Sequence, residues 1–226
     1  MPKPMLTDDY IIRMINQAIA VLLTITRLKA VGQYQEAQQY IDQSLEQLIG
    51  LRVNLIKGLD DRNVLNTLTI NGVLDTDRII IVADLYNEEG DILAAQNKMN
   101  ESYQSYHRAI YLYLMCALNG GPQKQPNPDK KIEKLAGLMR NVNYPIETEI
   151  LLSEYFERSG KYAEGYQVLI KLSANQNYQE EIIRERKAFL ERVLIITDGG
   201  FVEGWLTWDK IKREIAILQG EMQRLS

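Results

Sequence analysis

GQYQEA at Gly32–Ala37 and GKYAEG at Gly160–Gly165 are two copies of one short pattern. In each, a glycine closes a helical run. Glycine and asparagine tolerate the left-handed backbone that ends a helix, so the pattern places a corner between two helices. Working outward, the same corner falls at Asn97 and Gly199. Two residues after each turn stands a large side chain (Tyr34, Met99, Tyr162, Phe201), and five after a small one (Ala37, Ser102, Gly165, Gly204). Nine after comes a large one again (Ile41, Tyr106, Leu169, Trp208), and twelve after Ser44, Ala109, Leu172 or Ile211. Four before each turn sits Leu28, Leu93, Phe156 or Ile195. Steps of three and four put these positions on one face of the second helix. The small residue lets that helix approach its neighbour, and the large ones fill the grooves on either side. The expectation is an all-α chain of antiparallel helical hairpins.

These residues resemble the tetratricopeptide family. Gly32–Ala37 is close to its turn and second-helix start, Gly160–Gly165 nearly as close, and Ser102, Tyr106 and Ala109 match its small, aromatic and alanine positions. The chain also resembles an uncharacterised bacterial family of helical, tetratricopeptide-like proteins of about this length. The resemblance implies a right-handed array of about eight to ten helices, first helices lining a concave face, and a role in protein or peptide binding. The family repeat is 34 residues, whereas these turns lie 65, 63 and 39 apart, so extra helices interrupt the array and make it irregular.

Outside the corners the helical signals continue. Thr7-Asp8-Asp9 can cap a helix reaching Ala30, a second runs from Tyr34 to Ile49 or on to Ile56, and Asp60–Leu68 is a short piece. Asn71-Gly72 breaks the chain before Asp75 or Thr76 caps a helix through Ile79–Val82 to Gln96. Lys98–Leu118 follows, ending in ten residues without charge, Ala109–Leu118, which implies burial on more than one face. The loop at 119–128 (NGGPQKQPNP) divides a single domain, 1–226, into halves 1–118 and 129–226. Asn127-Pro128 and Pro145 restart helices, and Asn177–Glu180 reads as a capping box. No strand pair is expected.

Composition bounds the function. With 226 residues, 46% hydrophobic and 25% charged, the chain can build a sizeable core. A net charge of −4 argues against nucleic acid as the main partner. The basic residues of the last hairpin, Arg184, Arg186, Lys187, Arg192, Lys210, Lys212 and Arg213, interleave with glutamates, as in exposed ion pairs. One cysteine excludes an intrachain disulfide and fits a cytoplasmic location. Ile11–Leu28 is very apolar but broken by Arg13, Asn16, Gln17, Thr24, Thr26 and Arg27, and reads as a helix buried on most sides, not a membrane anchor.

No catalytic, cofactor or metal motif stands out, and the chain is not expected to be an enzyme. His107, the only histidine, lies off the core stripe without a motif partner and reads as a rim residue. Cys116 reads as a small core residue. Gly199-Gly200 is no phosphate loop. Acidic residues crowd two first helices: Asp84, Glu88 and Asp91 with Asn87 among them, then Glu147, Glu154 and Glu157. On a concave face they would attract a basic peptide or a cation; otherwise they are a solvated helix face. Tyr103, Tyr106, Tyr111 and Tyr113 could form a recognition wall, although interhelix packing also uses them. The expected function is a non-catalytic interaction scaffold with a protein or peptide partner and a possible homodimer. A sensor of small ligands or signalling peptides, using Asn87 and nearby tyrosines, is the second reading, and a metal-assisted hydrolase using dispersed carboxylates the third.

Overall fold

The computed structural model describes residues 5–173, 179–197 and 204–225. Eleven helices and one small hairpin occur among them: α1 Met5–Ala30, α2 Tyr34–Ile49, α3 Val53–Gly58, α4 Asp61–Thr67, β1 Thr69–Ile70, β2 Val73–Leu74, α5 Thr76–Ala95, α6 Met99–Leu118, α7 Asp129–Leu138, α8 Ile146–Arg158, α9 Tyr162–Leu172, α10 Gln179–Thr197 and α11 Trp208–Leu225. The all-α expectation holds. The count exceeds eight to ten because the chain between α2 and α5 folds into two separate short helices.

Three of the four corners form as expected, with one hydrogen-bond pattern. Gly32, Asn97 and Gly160 have φ of +74°, +61° and +74°. The amide just after each turn donates to the carbonyl four before it: Gln33 to Leu28 at 2.9 Å, Lys98 to Leu93 at 2.9 Å, Lys161 to Phe156 at 2.8 Å. The turn residue's own amide donates to Lys29, Ala94 or Glu157 at 3.0–3.1 Å. These paired bonds satisfy carbonyls that a helix end leaves open. The small residues then sit against the first helix: Ala37 and Ser102 are fully buried, and a Cβ on Gly165 would lie 3.1 Å from the Ser153 carbonyl oxygen.

The fourth corner differs. Gly199 and Phe201 lie outside the described residues, as do Asn177 and Tyr178 of the expected capping box. Gly204, expected inside a helix, is an exposed turn residue at φ +85°, and α11 begins only at Trp208. Its stripe is therefore reset, with Ile211 and Leu218 as the fully buried positions.

The chain divides into two compact units, Met1–Val142 and Asn143–Ser226. The division falls beyond the 119–128 loop, because that loop is tied into the first unit. The Lys124 amide donates to Asp77 Oδ1 at 3.0 Å, Gln125 Nε2 to the Asp77 carbonyl at 2.7 Å, and α7 packs on α6. In the first unit α1 pairs with α2, α5 packs on both, and α6 pairs with α5. The isoleucine run is helical, and Ile79, Ile80, Ile81 and Val82 are all buried. In the second unit α8 pairs with α9, α9 with α10, and α10 with α11, around Tyr166, Leu169, Phe189, Leu190, Val193 and Ile211.

Two further expectations fail. Asn71-Gly72 makes a two-residue antiparallel hairpin, with Thr69 opposite Leu74 and both turn residues at positive φ (52° and 78°). That dipeptide suits the tight turn whose twist matches paired strands. Helix α1 is buried on one stripe rather than on most sides: Met14, Ala18 and Ile25 point inward, while Ile12, Ile19 and Leu23 are 46–56% exposed. By length and composition alone, its 22 residues Asp9–Ala30 could also cross a bilayer.

Candidate functional site

The acidic residues expected to form an open negative surface are largely matched by cations brought from elsewhere in each unit. On α5, Glu88 Oε2 and Asp91 Oδ2 bind Lys29 Nζ of α1 at 2.5 and 2.8 Å. Asp91 Oδ1 also accepts from the Tyr106 hydroxyl at 2.8 Å, and Asp84 Oδ1 accepts from the Tyr113 hydroxyl and Lys131 Nζ of α7, each at 2.5 Å. The carboxylates outweigh the burial of Lys29, so its ammonium titrates above its ordinary value. Asn87 is half-buried between them. In the second unit Glu157 takes both Arg192 Nε and Nη2, at 2.8 and 2.9 Å, and Glu154 pairs with Arg158 one turn on. Glu154 and Glu157 line a groove of about 480 Å³ with Ile150, Leu169 and Ile196. Glu147 is exposed in the first turn of α8. Thus Asp84, Glu88 and Asp91 come together as a folding clamp around Lys29 and Lys131, not as a bare acidic face.

Tyrosines 106, 111 and 113 are buried between helices rather than displayed. Their hydroxyls at 106 and 113 spend themselves on Asp91 and Asp84, and burial first, then these carboxylates, push both phenols above the ordinary range. Cys116 is buried, its thiol pushed up to about 12 first by burial and then by Asp77, and so is a poor nucleophile. His107 is less of a rim residue than expected. Its Nδ1 lies 3.1 Å from Asp61 Oδ2, and both side chains are under one-fifth exposed. Arg108 completes this knot, donating to Asp61 Oδ1 at 3.1 Å, the Leu59 carbonyl at 2.7 Å and the Tyr86 hydroxyl at 3.4 Å.

Beside the knot opens a groove of about 580 Å³. Three elements meet here because the corners align their ends: the start of α2 (Tyr34, Gln35, Gln38, Gln39), the last three turns of α5 (Tyr86, Glu89, Leu93) and the first three turns of α6 (Glu101, Gln104, Ser105, Arg108). Gln96, Lys57 and Lys98 complete the wall. Five glutamine amides stand along it, groups that carry both donors and an acceptor, and Gln38 spends its donors on Asp42 and Glu89. On the floor lies Glu89, only 8% exposed, accepting from Gln38 Nε2 at 2.7 Å and Ser105 Oγ at 2.9 Å.

Sequence reasoning singled out Glu88 and passed over its neighbour. The signal was there: Glu89 falls on the face of α5 that carries Val82, Leu85, Tyr86 and Leu93, so a carboxylate interrupts an apolar stripe. Gln38 and Ser105 lie 51 and 16 residues away, and nothing local marks them as its partners.

Among the described residues no three His, Cys, Asp or Glu side chains are grouped to hold a metal ion. No curated protein and no solved structure matches the chain. Over residues 5–223 it matches a family described as a family of unknown function, DUF6483, and it belongs to that family.

Proposed function

We propose that this protein is a non-catalytic interaction scaffold whose hairpins stack in the tetratricopeptide manner, and whose first-unit groove holds a peptide segment of a partner protein. The observation that carries this reading is the amide-lined groove at the corner ends of α2, α5 and α6. Glutamine amides can pair with both the N–H and C=O groups of an extended backbone, and an open groove admits a chain rather than enclosing a small molecule. The three matching corners support the scaffold, since each closes its hairpin with the same pair of backbone hydrogen bonds. The hydrolase reading has no clustered metal ligands behind it among the described residues, and the sensor reading would need a more enclosed cavity.

Selection of a random peptide phage library on the whole protein tests the proposal. Enriched peptides should lose binding to a Gln39→Ala/Gln104→Ala variant and keep it for Glu154→Gln in the second unit. No enrichment, or peptides indifferent to the groove variant, would remove the groove as a peptide site.

Self-association through α1 is proposed alongside it. Ile12, Asn16, Ile19, Leu23, Thr26 and Ala30 are all exposed and step alternately by four and three residues. That uncharged seam has the spacing with which helices pair side by side, and a polar Asn within it is a known register device. The Thr26 hydroxyl is spent on the Leu22 carbonyl at 2.8 Å, which leaves its methyl for the seam. A second copy satisfies such a seam better than a bilayer does, because Arg13, Gln17 and Arg27 flank it. Light scattering at tens of micromolar should report a dimer for the native chain and a monomer for Leu23→Glu. A native monomer, or flotation with lipid vesicles, would end the idea.

A further inference from the structure

We propose that the floor of the first-unit groove is a lysine-recognition subsite, in which Glu89 supplies the counter-charge for the ammonium of a lysine side chain on the bound peptide. The inference rests on the groove being a peptide site and goes further, to the chemistry of the residue it selects.

Glu89 is buried, yet both of its oxygens are held by neutral donors, Oε1 by the Gln38 amide and Oε2 by the Ser105 hydroxyl. No Lys, Arg or His among the described residues forms an ion pair with it. Asp84, Glu88 and Asp91 on the same helix each have a cation, and the other buried carboxylate of α5, Asp77, is held away from the groove by the Lys124 backbone amide, so Glu89 is the unpaired carboxylate of α5 that faces the groove. Burying an unpaired carboxylate is costly, and the usual remedy is a partner of opposite charge. The cations close by are committed elsewhere. Arg108, half-buried in the wall of the groove, turns to Asp61 and to the Leu59 carbonyl, and Lys57 at the rim lies 3.3 Å from Asp42. Lys98 and Glu101, both exposed at the mouth, balance each other in sign.

The geometry favours an ammonium over a guanidinium. Each Glu89 oxygen has already accepted one bond, which leaves separate lone pairs rather than an open bidentate edge. The further acceptors, the Ser105 and Tyr86 hydroxyl oxygens, come from different helices. A compact charge with three rotatable donors reaches such scattered acceptors, whereas a planar fork does not. Burial pushes the Tyr86 phenol up despite Arg108, so it remains a neutral hydroxyl that adds no second negative charge.

The experiment is titration of the whole protein with three blocked pentapeptides, acetyl-Ala-Ala-Xaa-Ala-Ala-amide, where Xaa is lysine, norleucine or acetyl-lysine, followed by calorimetry or NMR. The lysine peptide should bind at least tenfold tighter than the other two. Glu89→Gln should erase the difference, since glutamine can still accept from Gln38 and donate to Ser105 while carrying no charge. Acetylation is tested on the unaltered protein and so reads the same charge requirement even if the variant folds poorly. Equal binding of all three peptides, or a lysine preference that survives in folded Glu89→Gln, overturns the subsite and leaves the groove a peptide site. Binding of none of them up to about 10 mM, ten times the concentration that corresponds to a millimolar Kd, overturns subsite and groove together.

Discussion

At the scale of the residue, the corners reduce to one backbone requirement met by two residue types. A Cβ on Gly160 would meet nothing within 4 Å, so any penalty there comes from the left-handed backbone alone. Replacing Gly160 with Val should lower stability by about 1–2 kcal/mol, because a β-branched residue resists that conformation. Asn97 adopts the same conformation at the second corner. Gly160→Asn should therefore cost less than Gly160→Val, and Asn97→Gly should raise stability by a few tenths of a kcal/mol to about 1 kcal/mol. Thermal denaturation of the three variants checks the order. Equal melting temperatures for Gly160→Val and Gly160→Asn would mean that backbone strain does not set the corner.

At the scale of the element, each hairpin is built on a close approach between one position on the first helix and one on the second. Ser102 Oγ donates to the Gly90 carbonyl at 2.8 Å, and Ser153 Oγ to the Gly165 carbonyl at 3.1 Å, so the two hairpins exchange the places of serine and glycine. Only the second-helix half of this pair was legible in the sequence, through the small residue five after the turn. Gly90 and Ser153 lie seven before the turn and carry the other half. A Cβ on Gly90 would come within 2.4–2.5 Å of the Tyr106 ring, which Asp91 holds by its hydroxyl. Gly90→Ala should thus destabilise by about 2–3 kcal/mol through overpacking. Tyr106→Leu would clear the space, so the double variant should be at least about 1 kcal/mol more stable than the two single losses added together. Urea denaturation of the four proteins measures that coupling, and simple additivity would show that the ring moves aside at no cost.

At the scale of the whole molecule, what the sequence made legible was local: helix runs, left-handed corners, the stripe behind them. What it hid was long-range. The outward face of α1 could not be told from an inward one, since both are apolar. The acidic cluster of α5 looked open because its cations, Lys29 and Lys131, are about fifty residues or more away in the chain. The Asp61 knot has the same character, joining α4 to α6 across 47 residues. It also gives the first unit a pH signature. Burial would raise the Asp61 carboxyl, but the hydrogen bond from His107 and the charges of His107 and Arg108 outweigh it and hold the group below its ordinary 3.8. The unfolded chain then binds this proton more readily than the folded one. Asp61's contribution to stability is complete above about pH 4 and is lost as pH falls from the unfolded value through the folded one. Asp61→Asn should lower neutral-pH stability by about 2 kcal/mol, less than for a fully buried pair because the side chain keeps some contact with water. The same change should flatten the fall in melting temperature as pH drops below about 4, where the native group takes up its proton. A variant with the native acid slope would mean that other carboxylates carry the acid sensitivity and that the knot contributes geometry without charge.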